Sequence, residues 1–104
     1  MSIIIVATAT PLPEHRDEVI AAFEKSMEAV HAGEEGCLLY ALHEAPNGDL
    51  VMIEKYADQD AVKAHSSGEN VAALMAGLKG KLTGRMDVKF LTPHPAGSPD
   101  KGTL

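Results

Sequence analysis

The chain has 104 residues, enough for one domain and one core, and a chain of this size buries only roughly 60–65% of its unfolded surface, which favours oligomerisation. With 45% hydrophobic and 23% charged residues it is not a disordered chain. Nine basic against fifteen acidic residues, a net charge of −6, argue against nucleic acid or an anionic membrane as partner.

Ser2–Thr10 is β-branched and apolar, and reads as a strand buried on both faces. Its longest apolar run, Ile3 to Ala7, is too short for membrane insertion, and no basic segment precedes it as in a secretory signal. Pro11-Leu12-Pro13 ends the strand, and a helix is expected over about 14–32. Val19, Phe23, Met27 and Val30 mark its buried side, with Ile20 beside them and Gly33 as C-terminal cap.

Cys37–Ala45 and Leu50–Ala57 read as two strands around Pro46-Asn47-Gly48-Asp49. A two-residue Asn47-Gly48 turn of type I′ sets a register with His43 opposite Met52, Ala41 opposite Glu54 and Tyr40 opposite Lys55. Leu39, Ala41, His43, Met52, Glu54 and Tyr56 then share one face, and both faces are largely apolar. Asp58 suits the N-cap of a short helix carrying Val62 and His65. Ser66-Ser67-Gly68 interrupts it, and a second helical stretch follows over about 69–82, with Val71, Leu74, Met75, Leu78 and Leu82 on one side. Arg85–Thr92 alternates and reads as the last strand, before a Pro/Gly-rich tail over 93–104.

The order β-α-β-β-α-α-β predicts an α+β, ferredoxin-like domain over 1–92, an antiparallel four-stranded sheet with helices on one face. The other face is apolar too, so a homodimer packed sheet against sheet is expected, as in a dimeric α/β-barrel. The lone Cys37 excludes an internal disulfide and fits a reducing cytoplasm. His15, His31, His43, His65 and His94 are scattered without ligand spacing, so no metal site is expected. No GxGxxG or phosphate-binding loop points to a dinucleotide.

The segment EEGCLLYALHEAPNGDLVMIEKYADQDAVKAHSSGENVAAL, Glu34 to Leu74, resembles the antibiotic biosynthesis monooxygenase family, and within it the bacterial quinol monooxygenase branch. The resemblance rests on Gly36-Cys37 entering a strand, Tyr40, Glu54-Lys55-Tyr56 ending the next, and Ala64-His65 on the following helix. Tyr56 stands where the family usually has Trp, and Asn70 where many members have a second histidine. Haem-degrading relatives use an Asn, a Trp and an axial His where this chain has Thr8, His65 and Met75, which points away from haem.

The resemblance implies a monooxygenase that uses neither metal nor organic cofactor. A deprotonated quinol or hydroxylated aromatic can itself reduce O₂, given a base, an apolar cavity and donors that hold the anion. His65 is the candidate base, since an imidazole with an ordinary pKa near ~6.5 accepts a proton at neutral pH. Glu54, a carboxylate in an apolar row, is the candidate orienter. His43, Tyr40, Tyr56, Asn70 and Met75 are candidate substrate contacts in a cavity between helices and sheet. Two alternatives stand beside it: an isomerase of a small carbonyl compound, with His65 and Glu54 shuttling the proton, and a non-catalytic dimeric ligand-binding protein whose affinity does not need His65.

Overall fold

A computed structural model describes all residues, 1–104. Its elements in chain order are β1 (Ile3–Ala9), α1 (Arg16–Gly33), β2 (Cys37–Glu44), β3 (Leu50–Tyr56), α2 (Gln59–Ser66), α3 (Glu69–Leu78) and β4 (Asp87–Leu91). The four strands form one antiparallel sheet in the order β2-β3-β1-β4, the ferredoxin-like arrangement expected for this order of elements.

Because side chains alternate along a strand, Ile5, Ala7 and Ala9 share the helix-covered face with Leu50, Met52, Glu54 and Tyr56. The core forms between that face and Val19, Phe23 and Val30 of α1 and Leu74 and Leu78 of α3. The fourth buried position of α1 is Ser26, with Met27 only half-buried at the core's edge. The expected apolar stripe is thus broken by one hydroxyl, which lies 3.3 Å from the hydroxyl of Tyr40.

The hairpin corrects the expected register by one residue. Tyr40 lies opposite Glu54, Leu42 opposite Met52, and His43 opposite Val51. The cause is Pro46. A type I turn places Pro46 at its second position, closed by Gly48 N–H donating to the Ala45 carbonyl at 2.9 Å. Only Gly48 has positive φ, +96°, and Asn47 does not, so the loop has three residues rather than two. The Asn47 side chain accepts from the Asp49 N–H at 2.9 Å, and Arg16 of α1 donates to Gly48 O and Glu44. A bulge between Cys37 and Leu39 brings Cys37 back opposite Tyr56 and leaves Leu38 exposed.

Two helix ends also differ from expectation. Gly33 stays helical, and Glu34 is the cap, in extended conformation with φ −110°. The second helical stretch ends at Leu78 rather than near 82, with Gly80 at φ +77°. Leu82 is recruited instead to pair with Pro11, and Leu12 and Thr83 N–H groups bond Lys81 and Thr10 carbonyls at 2.9 Å. This clasp ties the connection between α3 and β4 to the end of β1. The tail beyond Leu91 returns far enough for Lys55 Nζ to donate to the carbonyl of Leu104 at 2.7 Å. No helix is long and apolar enough to cross a membrane.

Candidate active site

Asp58 caps α2 through its carboxylate, which accepts from Ala61 N–H at 2.9 Å. The helix is two turns long, and its inward side carries Val62 and His65. Gly36 lets the β2 entrance approach it, since a Cβ there would stand 2.5 Å from the Cβ of Ala61. His65 is therefore lowered onto the sheet, where its ring lies 5.2 Å from that of Tyr56 and 5.7 Å from that of Tyr40.

His65 is 7% exposed, and its imidazole is held at Nδ1. Nδ1 is 2.8 Å from Glu34 Oε1, while Nε2 is 3.8 Å from Glu54 Oε1. Glu34 Oε2 accepts from Asn70 Nδ2 at 2.9 Å. An ionised carboxylate only accepts, so this contact calls for a proton on Nδ1, and in the neutral imidazole the lone pair is then on Nε2, facing inward. The arrangement is a chain of three: Asn70 positions Glu34, and Glu34 positions His65.

Glu54 has a different environment. Tyr56 Oη donates to its Oε1 at 2.7 Å, and no cation pairs with it apart from the imidazole opposite. Burial pushes its pKa above the ordinary carboxylate value, against the lowering effects of the Tyr56 hydroxyl and His65. Burial likewise pushes the Tyr40 phenol up to about 12, and burial together with Glu54 raises that of Tyr56. Both phenols stay protonated at neutral pH and can donate.

His65, Glu54 and Tyr40 line a cavity of about 120 Å³ between sheet and helices, with Phe23, Met52 and Leu74 among its apolar walls. Its side toward β4 is formed by Val88 and by Phe90, which is 63% exposed. The 3.8 Å between Nε2 and Glu54 Oε1 is too long for a direct bond. A substrate hydroxyl set beside the pair, at the apex of a triangle with the two atoms, would reach both at ordinary hydrogen-bond lengths.

The structure thus brings together His65, Glu54, Tyr40 and Tyr56, with Asn70 behind them. It does not bring His43 there. The register correction turns His43 to the open face, where it is exposed and its Nδ1 lies 3.1 Å from Ala41 O of its own strand. Met75 is 48% exposed and lies outside the cavity. Sequence reading missed Glu34, since nothing local distinguishes it from Glu35. Its only signal is its place at the helix end before Gly36-Cys37, where the chain reverses toward α2.

The family model for antibiotic biosynthesis monooxygenase matches residues 2–77. No curated protein matches. Among solved structures, the chain is similar to a candidate antibiotic biosynthesis monooxygenase from Caulobacter crescentus at 29% identity and TM-score 0.82, covering 86% of this chain and 87% of that one. A Mycobacterium tuberculosis protein is similar at 25% identity and TM-score 0.86, covering 94% of this chain and 100% of that one. A Pseudomonas aeruginosa protein matches at 25% identity and TM-score 0.76, covering 86% and 91%. With the family model spanning most of its length and the sheet and helices in the family's order, this chain belongs to the antibiotic biosynthesis monooxygenase family.

Proposed function

We propose that this protein is a cofactor-independent monooxygenase that oxidises a small hydroxylated aromatic or quinol with O₂. The observation that carries the reading is the Nε2 lone pair of His65, fixed by the Glu34 contact at Nδ1 and turned into an apolar cavity opposite Glu54. A substrate hydroxyl beside the two gives its proton to Nε2, and the Glu34 carboxylate stabilises the imidazolium that forms. The ring, now an electron-rich anion, passes electrons to O₂. A quinol that takes up one oxygen atom ends as a hydroxyquinone, and the second atom leaves as water with two hydrogens from the quinol. Tyr40, whose phenol stays protonated, supplies a donor to the developing oxyanion, and burial biases Glu54 beside it toward its protonated form. The apolar walls keep competing water from the anion.

The working unit in this reading is a homodimer in the cytoplasm. Val6, Ile53, Leu39 and Ala41 make the sheet face away from the helices apolar and only half-buried, and a second copy would cover it.

The test is oxygen uptake with reduced quinols and polyhydroxylated aromatics, corrected for autoxidation, comparing wild type with His65→Ala and His65→Gln. Protein-dependent uptake that collapses in both variants supports the reading. Uptake that persists in them removes His65 as base. Substrate turnover that proceeds unchanged without oxygen redirects the site to isomerisation.

A further inference from the structure

The cavity around His65 has a larger neighbour. Val71, Met86 and Val88 also line a second depression of about 810 Å³, between α3 and the segment that leads into β4. The two spaces share these walls and so lie side by side, and the outer one is several times the larger. Its floor is apolar and open to solvent, with Met75 48% and Val88 43% exposed. Exposed large apolar side chains gathered in one groove mark a binding surface.

The charge of the groove is opposite to that of the chain. Its only charged lining residues are Lys79 and Arg85. Neither makes an ion pair, so both charges are free to meet a ligand, as are those of several other surface lysines away from the groove. On a chain of net charge −6, two unpaired cations beside an apolar groove without a carboxylate form a site for an anion. The Arg85 guanidinium matches a carboxylate with two parallel N–H donors.

We propose that this groove is the outer half of the substrate site and takes the acidic arm of an amphipathic aromatic. The hydroxylated ring sits beside His65, an apolar linker runs past Val88 and Met75, and a carboxylate ends between Lys79 and Arg85. The placement of the ring rests on the function proposed above; the selection of an acidic arm rests on the groove.

The experiment is a calorimetric titration of the full chain with two ligands of one head group, 3-(1,4-naphthoquinon-2-yl)propanoic acid and its methyl ester. It uses wild type, Lys79→Ala/Arg85→Ala and Arg85→Glu at low and high salt, with sedimentation of each protein. Both positions are exposed, so the variants keep the fold, as circular dichroism checks. Wild type is expected to bind the acid about tenfold tighter than the ester, a difference of about 1.4 kcal/mol. The preference disappears in the double variant, reverses in Arg85→Glu, and shrinks with salt. Equal affinities in wild type, no binding of the acid, or a preference untouched by the double variant overturns the proposal. A change in oligomeric state in Arg85→Glu with the preference intact also overturns it and assigns the groove to a second copy. Because the quinones need no turnover to bind, failure of oxygen uptake leaves this result standing, and failure of the preference leaves the oxygenase reading standing.

Discussion

Replacing Glu34 by glutamine removes one charge behind His65 and keeps the shape of the side chain. The carboxylate accepts two hydrogen bonds, from His65 Nδ1 at 2.8 Å and Asn70 Nδ2 at 2.9 Å. A glutamine amide has one oxygen to offer. If that oxygen keeps the Nδ1 proton, its nitrogen meets the Asn70 amide nitrogen donor to donor, and Asn70 must turn its amide over. The bond to His65 then falls from the charged class, about 1.5–3 kcal/mol, to the neutral class, about 0.5–1.5 kcal/mol. The imidazolium formed when Nε2 takes the substrate proton also loses its counter-charge. At about 1.4 kcal/mol per factor of ten, Glu34→Gln is expected to lower kcat roughly 10- to 100-fold, with a smaller change in KM.

Glu34→Ala goes further, because it leaves the Nδ1–H of a buried imidazole without an acceptor. That costs about 1–3 kcal/mol of stability. At roughly 4–8 °C per kcal/mol for a domain of this size, its Tm falls visibly. The assay is initial oxygen uptake beside nitrogen NMR of the imidazole, which reads directly which nitrogen carries the proton. Wild type is expected to show the Nδ1–H form and Glu34→Ala a mixture. A Glu34→Gln protein with wild-type kcat, or a wild-type imidazole protonated at Nε2 alone, refutes the reasoning.

Three further outcomes follow from the same geometry. Burial raises the pKa of Glu54, so the folded state favours its protonated form. That contribution is whole below the unfolded value of about 4.5 and is lost as pH rises through the folded one. The stability of Glu54→Gln relative to wild type is therefore expected to increase with pH from 4.5 upward, and a difference in Tm that stays flat with pH contradicts it. Gly36→Ala forces a Cβ to 2.5 Å from that of Ala61, costs about 1–3 kcal/mol and pushes α2 away, so stability and oxygen uptake fall together. Gly33→Ala, with no atom within 4 Å of the new Cβ, is the control that leaves both intact. Asp58→Ala removes the cap of the helix that carries His65 and costs about 1 kcal/mol in thermal unfolding, while Asp58→Ser retains most of it.

The parts of this molecule legible in sequence are those set by local chemistry. Strand alternation, the Asp58 cap and the order of elements gave the sheet and put His65 on a short helix above it. The hairpin register was not legible from Asn47-Gly48 alone, because Pro46 competes for the turn and adds one residue to the loop. That single residue exchanges the partners of Glu54: Tyr40 joins its face, and His43 leaves it. The end of α3 escaped for a related reason. Leu82 continues the helical apolar spacing, but its pairing with Pro11 is a contact between segments about seventy residues apart that no window of sequence contains. Glu34 escaped because its meaning comes only from His65, thirty-one positions away.

What the fold adds to the residue types is asymmetry around one ring. Glu34 and Glu54 are the same side chain on opposite sides of His65. Glu34 receives two N–H donors and lies at the end of α1, where its carboxylate serves as an acceptor. Glu54 receives one hydroxyl from within an apolar layer, and burial favours its protonated form. One carboxylate thus holds the base in its accepting tautomer, while burial biases the other toward its protonated, donor form beside the same cavity. Two carboxyl groups whose environments differ in this way divide acceptor and donor duties between them. The division needs no residue beyond those of the sheet and the two helix ends that meet it. Exchanging the two environments, by adding a cation beside Glu54 or removing Asn70 behind Glu34, is expected to abolish it without altering the fold.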